Sequence, residues 1–573
     1  MRNILILGLV TTSLLAGAQN SLAQSYPEDE VVVTGMSVRQ GGAQDIKHFR
    51  GEVDRGNIPS PQGMTSEGLL GEHDLFISSN TSCRQTLCLN AAAMPASIIN
   101  ADYFAGLGFD SNISQDWDRE PINLVAVIDR SGSMGGESIK NVKHSLLEIT
   151  KQLRPKDQIS LVLYGSDVVT HLKPLQISNS AKSTLKDKIK RIKIEGSTNM
   201  DAGLARAYDI AYQTMPEFEG HTRLMIFTDE RPNVGRTDAE GFMQRAKRAS
   251  KDGIGLTTIG YGVNYGGDLA AKIASVRGGN LFYVGDKEDV NQLFTNEFDY
   301  MVSELAHDLR VKIRPAKGLE LEQVYGVPER LTSRQPDGAI VMTIPTVFLS
   351  SQSGGLFVSL TGEHEEKGQP LFYSELQYKK GELSEVQKLE ASLSNELDSN
   401  LQKAEALSAQ YTAMKTAAEA YYSRDYDKAF EIFNPFAKNY QAHKIKGLET
   451  EYELVVKLNE KFAIDAQRYD ALDEIPKFVQ MRGSWEVTKA KNMLDVKRGD
   501  RFEFSPQKFT HYKQTNSESP YDTEYYRVNE KQIYLTKSDL TFRYSINKKG
   551  RLILRHKDGE TVIYLNPASS ADG

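Results

Sequence analysis

Asp129, Ser131 and Ser133 place three side-chain oxygens two residues apart in the run NLVAVIDRSGSMGG. Two further oxygens stand in comparable settings, Thr198 in the Gly/Ser loop of EGSTNMDAG and Asp229 at the end of the apolar run in RLMIFTDE. All five are hard donors with no thiol or imidazole among them, a set that suits a hard, octahedral cation, Mg²⁺ or Mn²⁺. A plainer role competes for part of the set. Ser and Asp after strands commonly cap helices, and Ser131 or Ser133 would then cap one beginning near Glu137. The repeated spacing and the separate Thr and Asp favour the cation.

Oxygens so far apart in sequence meet only if the chain brings three segments to one edge. The run LVAVI, apolar on both faces, predicts a strand covered on both sides, with the polar triplet at its carboxyl end. Over residues 119–306, strand-like runs (LVAVI, ISLVLYG, RLMIFTD, GLTTIGYG, LFYVG) alternate with helix-period segments such as IKNVKHSLLEITKQL, SAKSTLKDKIKRI, DAGLARAYDIAYQT, AEGFMQRAKRASK, GDLAAKIASV and VNQLFTNEFDYMVSEL. That alternation predicts an α/β, doubly wound, mostly parallel sheet. In such a sheet, ligands sit at the carboxyl ends of the strands.

D-x-S-x-S after a first strand, a distant Thr in a Gly/Ser loop and T-D after a later strand, in that order, resemble the metal-ion-dependent adhesion site of von Willebrand factor type A domains. The resemblance implies that Ser131, Ser133 and Thr198 hold the cation directly. It implies that Asp129 and Asp229 act mostly through water, and that an acidic side chain of a protein partner completes the metal shell. One position departs from the family: many members read T-D-G where this chain reads Thr228-Asp229-Glu230. Glu230 is either a solvated loop residue or a rim residue that tunes or occludes the metal and disfavours an acidic partner. The stretch GGNLFYVGDKEDVNQLF, followed by ELAHDLRVKIRP and a β-rich module, is similar to secreted bacterial proteins and inter-alpha-trypsin inhibitor heavy chains.

The 573 residues are too many for one core. Residues 1–23 carry a cationic Arg2, an apolar stretch and small residues, the parts of a secretory signal with cleavage after Ala23, or alternatively Ala18. No later apolar run approaches membrane length, so the mature chain is expected to lack a transmembrane segment and to be exported to the periplasm or beyond the cell. Residues 24–118 read as a loop-rich lead-in, in which Cys83 and Cys88, the only two cysteines, form a small disulfide loop. Residues 307–380 read as a β-sandwich-like module. Residues 381–470 read as a helical spacer, because apolar residues recur at steps of three and four from Leu383 to Met414; the pair that follows resembles one tetratricopeptide hairpin, too little to stack as an array. Residues 475–567 read as a meander closing into a small β-barrel. Its opening GSW resembles that of lipocalin-like domains. Phe502, Phe504, Tyr526, Ile533, Leu535, Leu552 and Leu554 are expected to fill the barrel rather than line a cavity.

Charge and motifs narrow the function. With 69 Lys and Arg against 76 Asp and Glu, the net charge of −7 leaves no basic footprint over the whole chain, and nucleic acid is set aside as a partner. There is no G-x-S-x-G elbow, no H-E-x-x-H pair and no phosphate-binding glycine loop in a strand-to-helix setting. The expectation is a non-enzymatic, exported interaction protein whose metal site captures a protein partner in the cell envelope. The alternatives are a carrier of an apolar ligand in the C-terminal barrel, or an accessory subunit of an envelope enzyme or assembly machine.

Overall fold

The structure is a computed structural model. It describes residues 38–568 apart from 41–42, 45, 55, 62–63, 78–82, 115–116, 230–238, 262–275, 351–352, 365–367, 381–382, 394–397, 473–477, 494, 506–507, 517 and 529–530. The expected signal segment, Glu230 and the expected helix GDLAAKIASV (all but its last residue, Val276) lie outside the described residues.

Around the run that ends in Asp129 lies a seven-stranded sheet. In spatial order its strands are Ala43–Gln44, Gly279–Val284, Ile254–Tyr261, His221–Thr228, Ile122–Asp129, Gln158–Tyr164 and Val168–Gln176. All neighbours are parallel except the last pair. Alternation along the central strand explains its wholly apolar sequence. Ile122, Leu124, Ala126 and Ile128 face a core shared with helix Glu137–Gln152, whereas Val125 and Val127 face one shared with helix Met200–Thr214. The five expected strands are all present. The antiparallel edge strand Val168–Gln176 is an addition, because VVTHLKPLQ carries too few apolar residues to announce itself. The expected long helix near residue 300 is instead helix Lys287–Asn291, a π-helical turn at Gln292–Asn296 and helix Phe298–Met301.

Two further sheets pack face to face as the sandwich. One holds Val38–Gln40, Ile340–Leu349, Glu304–Pro315, Phe372–Lys380 and Leu383–Ala391, with Thr332–Arg334 paired beside Ile340–Leu349. The other holds Leu319–Tyr325, Gly355–Gly362, Tyr103–Asp110 and Cys88–Pro95. Two expectations are corrected here. The segment read as a loop-rich lead-in supplies two sandwich strands and the edge strand Ala43–Gln44 of the doubly wound sheet, whose other six strands are inserted between Tyr103–Asp110 and Glu304–Pro315. The two sandwich strands were hidden because both their faces are covered. Ala93 and Ala105 point into the sandwich core, while Met94 and Phe104 point into the helical layer, leaving no apolar/polar alternation to read. Residues 383–391, read as helix from their three-residue steps, form a strand paired along its length with Phe372–Lys380. Cys83 and Cys88 are joined, as expected.

The helical layer consists of Ser399–Tyr422, Tyr426–His443 and Glu449–Asp465. The C-terminal domain is a closed eight-stranded antiparallel barrel running from Gly483–Lys491 to Val562–Pro567, which pair with each other. Its seven expected core residues lie buried in one cluster with Trp485, whose indole N–H donates to Met481 O at 2.6 Å. Among the described residues no helix is long and apolar enough to cross a membrane.

Candidate metal centre at the strand ends

Asp129 ends the central strand with no exposed surface. Its carboxylate is held from two sides: Oδ1 accepts the Ser131 N–H at 2.9 Å, and Oδ2 accepts the Thr228 hydroxyl at 3.0 Å. Thr228 is the last residue of the neighbouring strand, so the next residue, Asp229, emerges beside Asp129 and is itself 5% exposed. Parallel register makes this adjacency obligatory, since Ile128 pairs with Phe227. Ser131 is buried, Ser133 is exposed, and their hydroxyls lie 3.0 Å apart.

The helix-capping role is not what holds these serines. Helix Glu137–Gln152 is preceded by Gly136, at φ +79°, and has no side-chain cap; Ser131 precedes a 3₁₀ turn, Gly132–Met134, without donating or accepting a cap bond.

Thr198 arrives by loop contacts. Arg130 N–H donates to Tyr164 O at 2.9 Å, Glu195 N–H to Arg130 O at 2.6 Å and Gly132 N–H to Gly196 O at 3.1 Å, which stitches residues 195–196 to the loop after the central strand. Ser197 N–H donates to Ser166 Oγ at 3.1 Å and Asn199 N–H to Gly165 O at 3.2 Å, so Thr198, 1% exposed, is held between two anchored neighbours. Asn199 then caps helix Met200–Thr214 through the Ala202 N–H. Gly165 and Gly196 permit the close approach. A Cβ on Gly165 would stand 2.4 Å from Glu195 O, and one on Gly196, at φ +76°, 2.0 Å from Ser166 Oγ. An Arg130–Glu195 ion pair closes the outer side of this loop pair.

Burial pushes the Asp129 carboxyl up to about 6, and the charge of Asp229 adds to the rise; bonds from Ser131 and Thr228 oppose it. Burial first, and then the charges of Asp129 and Asp229, push the Tyr164 phenol well above its ordinary value. Two buried carboxylates that disfavour each other's charge make a place where a cation lowers the free energy. The donors fit a hard cation by chemistry, being carboxylates and hydroxyls only; among the described residues no group of three or more His, Cys, Asp or Glu converges, and this site brings two carboxylates together. The sequence reading missed Tyr164, the Arg130–Glu195 pair and Gly165. Gly165-Ser166 directly after ISLVLY was the available signal, a small-residue pair at a second strand's carboxyl end.

Comparison with known proteins identifies the domain that carries these residues. The von Willebrand factor type A domain family model matches residues 123–296. The uncharacterized protein YfbK of Escherichia coli (strain K12) is 32% identical over 206 residues, 35% of this chain and 35% of that protein. Human inter-alpha-trypsin inhibitor heavy chain H1 is 27% identical over 206 residues, 35% of this chain and 23% of that protein. The matches thus span about a third or less of these relatives' length. A solved von Willebrand factor type A structure from Catenulispora acidiphila aligns with 67% of this chain and 91% of its own at 14% identity, with a TM-score of 0.45. Residues 123–296 of this chain form a von Willebrand factor type A domain, a type that mediates protein–protein interaction.

Proposed function

We propose that this chain is an exported, non-enzymatic interaction protein. Its type A domain binds Mg²⁺ or Mn²⁺ through Ser131, Ser133 and Thr198, with Asp129 and Asp229 behind them, and captures a protein partner of the cell envelope whose acidic side chain completes the shell. The observation that carries the reading is the pairing of the Ser131 and Ser133 hydroxyls, 3.0 Å apart, above a wholly buried Asp129 whose carboxyl is raised to about 6 beside Asp229. When bound, the cation supplies a Lewis-acidic point for an incoming carboxylate. The residues hold its donors at fixed places through the loop bonds around Arg130, Gly132 and Gly196.

The barrel carries no part of this reading. Its inward side chains pack on one another, which favours a filled core over a carrier of apolar ligand.

Calorimetric titration of wild type and Asp129→Ala with Mg²⁺ and Mn²⁺ tests the site. The substitution is expected to weaken affinity about 10- to 100-fold, the usual effect of losing a group that orients metal ligands, while circular dichroism stays unchanged. Identical titrations for the two proteins would remove the metal from the proposal. Release of a captured envelope protein by chelator is the matching readout for the partner.

A further inference from the structure

Residues 137–193 of the type A domain carry 12 Lys and Arg against 5 Asp and Glu, a formal +7, whereas the rest of the chain holds 57 against 71, a formal −14. The near-neutral total hides this segment. Two helices that lie side by side display much of the excess, Glu137–Gln152 and Asn179–Lys190.

Two hydrogen bonds fix how they lie. Lys143 Nζ donates to Lys190 O at 3.3 Å and Lys182 Nζ to Lys151 O at 3.1 Å, so each helix supplies a lysine to the other's last turn and the pair runs antiparallel. An ammonium has three N–H groups, and both lysines keep donors for a further partner. In the same register Leu147, half-buried against the domain core, falls opposite Lys186. Lys182, Lys186 and Lys190 recur every four residues beside the buried stripe of Ala181, Leu185 and Ile189. That spacing sets them about 6 Å apart along one face. Lys186 and Lys190 are exposed, and their ammonium groups have no partner among the described residues.

Three acids lie near this strip and do not cancel it. Glu137 pairs with Lys140 at 2.7 Å, with side chains 78% and 69% exposed, an ion pair that water leaves weak. Glu148 takes the charge of Lys151 at 2.6 Å. Asp187 follows Lys186 and so points about 100° away round the helix. Lys143, Lys182, Lys186 and Lys190 remain as one positive strip, with Leu147 as its floor. One end of the strip adjoins the cation site: the first helix begins four residues after Ser133, and the chain leaving Lys190 runs into the loop that carries Thr198.

We propose that this strip docks an acidic polypeptide segment of the partner, running from the cation site along the two helices. The inference rests on the function proposed above and extends the partner's chemistry beyond the one carboxylate that the cation takes. An extended chain advances about 3.3 Å per residue, so alternate side chains recur at about 6.6 Å, close to the step of the lysine row. A segment with an acid at every second position therefore meets Lys182, Lys186 and Lys190 in turn. Nucleic acid fits less well, because neither helix carries a Phe, Tyr or Trp on which bases could stack. The row is lysine, a point charge, and not the arginine fork that matches phosphate. The same lack of exposed aromatic side chains leaves nothing to enter a lipid interface.

The test is fluorescence anisotropy of a labelled polyglutamate peptide with the full chain, in Mg²⁺ and in chelator. Binding is expected to fall as salt rises from about 0.05 to 0.5 M. The strip variant Lys140→Gln/Lys186→Gln/Lys190→Gln should weaken it about 10-fold in both media, or about 1.4 kcal/mol, the sum of three exposed ion pairs. Lys548→Gln/Lys549→Gln/Lys557→Gln removes the same charge from the barrel and should leave binding unchanged. All six lysines are exposed, so circular dichroism of both variants should match wild type. Absence of polyglutamate binding, wild-type affinity in the strip variant, or an equal loss in the barrel variant overturns the proposal. Chelator reads the cation separately. A wild-type loss in chelator with an undiminished strip variant upholds the cation site and removes the strip; equal wild-type affinity in both media with a weakened strip variant upholds the strip and removes the cation from the contact. Tighter binding of oligothymidylate of matched charge, or of phosphatidylglycerol vesicles, that is lost in the strip variant assigns the strip to nucleic acid or lipid and overturns the acidic segment.

Discussion

Asp129 combines the deepest burial with the most consequential charge in the candidate site. Its folded-state pKa of about 6 lies above the 3.8 of an ordinary aspartate. The cation-free folded domain therefore takes up a proton more readily than the unfolded chain does between those values. A destabilising term is fully present above about pH 6 and is relieved as pH falls towards 4. In chelator, Asp129→Asn is thus expected to melt above wild type at about pH 7.5, with the gap closing at about pH 4.5. Excess Mg²⁺ reverses the sign, because the cation needs the carboxylate: wild type should then gain stability at the higher pH and lose that gain through pH 6. Thermal unfolding of both proteins at both pH values, with and without Mg²⁺, reads the effect. A wild-type to variant gap that does not change with pH would show that Asp129 is not the titrating group.

At the scale of elements, three strand ends make the site only because their loops interlock. Gly196 is the tightest joint, at φ +76° with Ser166 Oγ where a Cβ would go. Gly196→Ala is expected to cost about 1–3 kcal/mol in urea unfolding, from left-handed strain and the displaced Ser166. It should also weaken cation affinity, since Thr198 moves with the loop. Gly253 is a control within the same domain, at φ +86° but with nothing within 4 Å of its Cβ position. Gly253→Ala should lose stability through backbone strain alone and keep its affinity for the cation. If the two variants lose affinity equally, or neither does, the loop is not what places Thr198.

Apolar packing joins the sandwich to the helical layer, and a buried ionic joint adds to it where the helical layer meets the barrel. Arg482, at the entry to the barrel, donates to Ile464 O at 2.7 Å, to the Tyr469 hydroxyl at 3.0 Å and to Asp465 at 3.2 Å. Asp465, whose side chain is wholly buried, also accepts from Lys461 at 2.6 Å and the Tyr421 hydroxyl at 2.8 Å. Removing one partner of such a group leaves charge inside without its match. Arg482→Met should cost about 3 kcal/mol of coupling between the helical layer and the barrel. In calorimetry the loss should appear as a separate, lower barrel transition. A single unshifted transition would mean that other contacts fasten the barrel.

Local pattern in the sequence was enough for the parts whose environment is regular along the chain. LVAVI and its companions could only be strands buried on both sides, and Asp129, Ser131, Ser133, Thr198 and Asp229 could be named from residue type and position relative to those strands. The barrel core was legible for the same reason, since inward and outward residues alternate along it. Tertiary structure decided what depends on a distant partner. Residues 88–95 and 103–110 became sandwich strands because sheet and helices cover them from opposite sides. Residues 383–391 became a strand because Phe372–Lys380 offers nine paired positions, against which a three-residue apolar rhythm is a weak helical preference. The burial of Asp129 likewise arises from its neighbours, Thr228 and Tyr164, which lie in other strands. Periodicity is a property of adjacent residues, whereas pairing and desolvation are properties of residues brought together from afar.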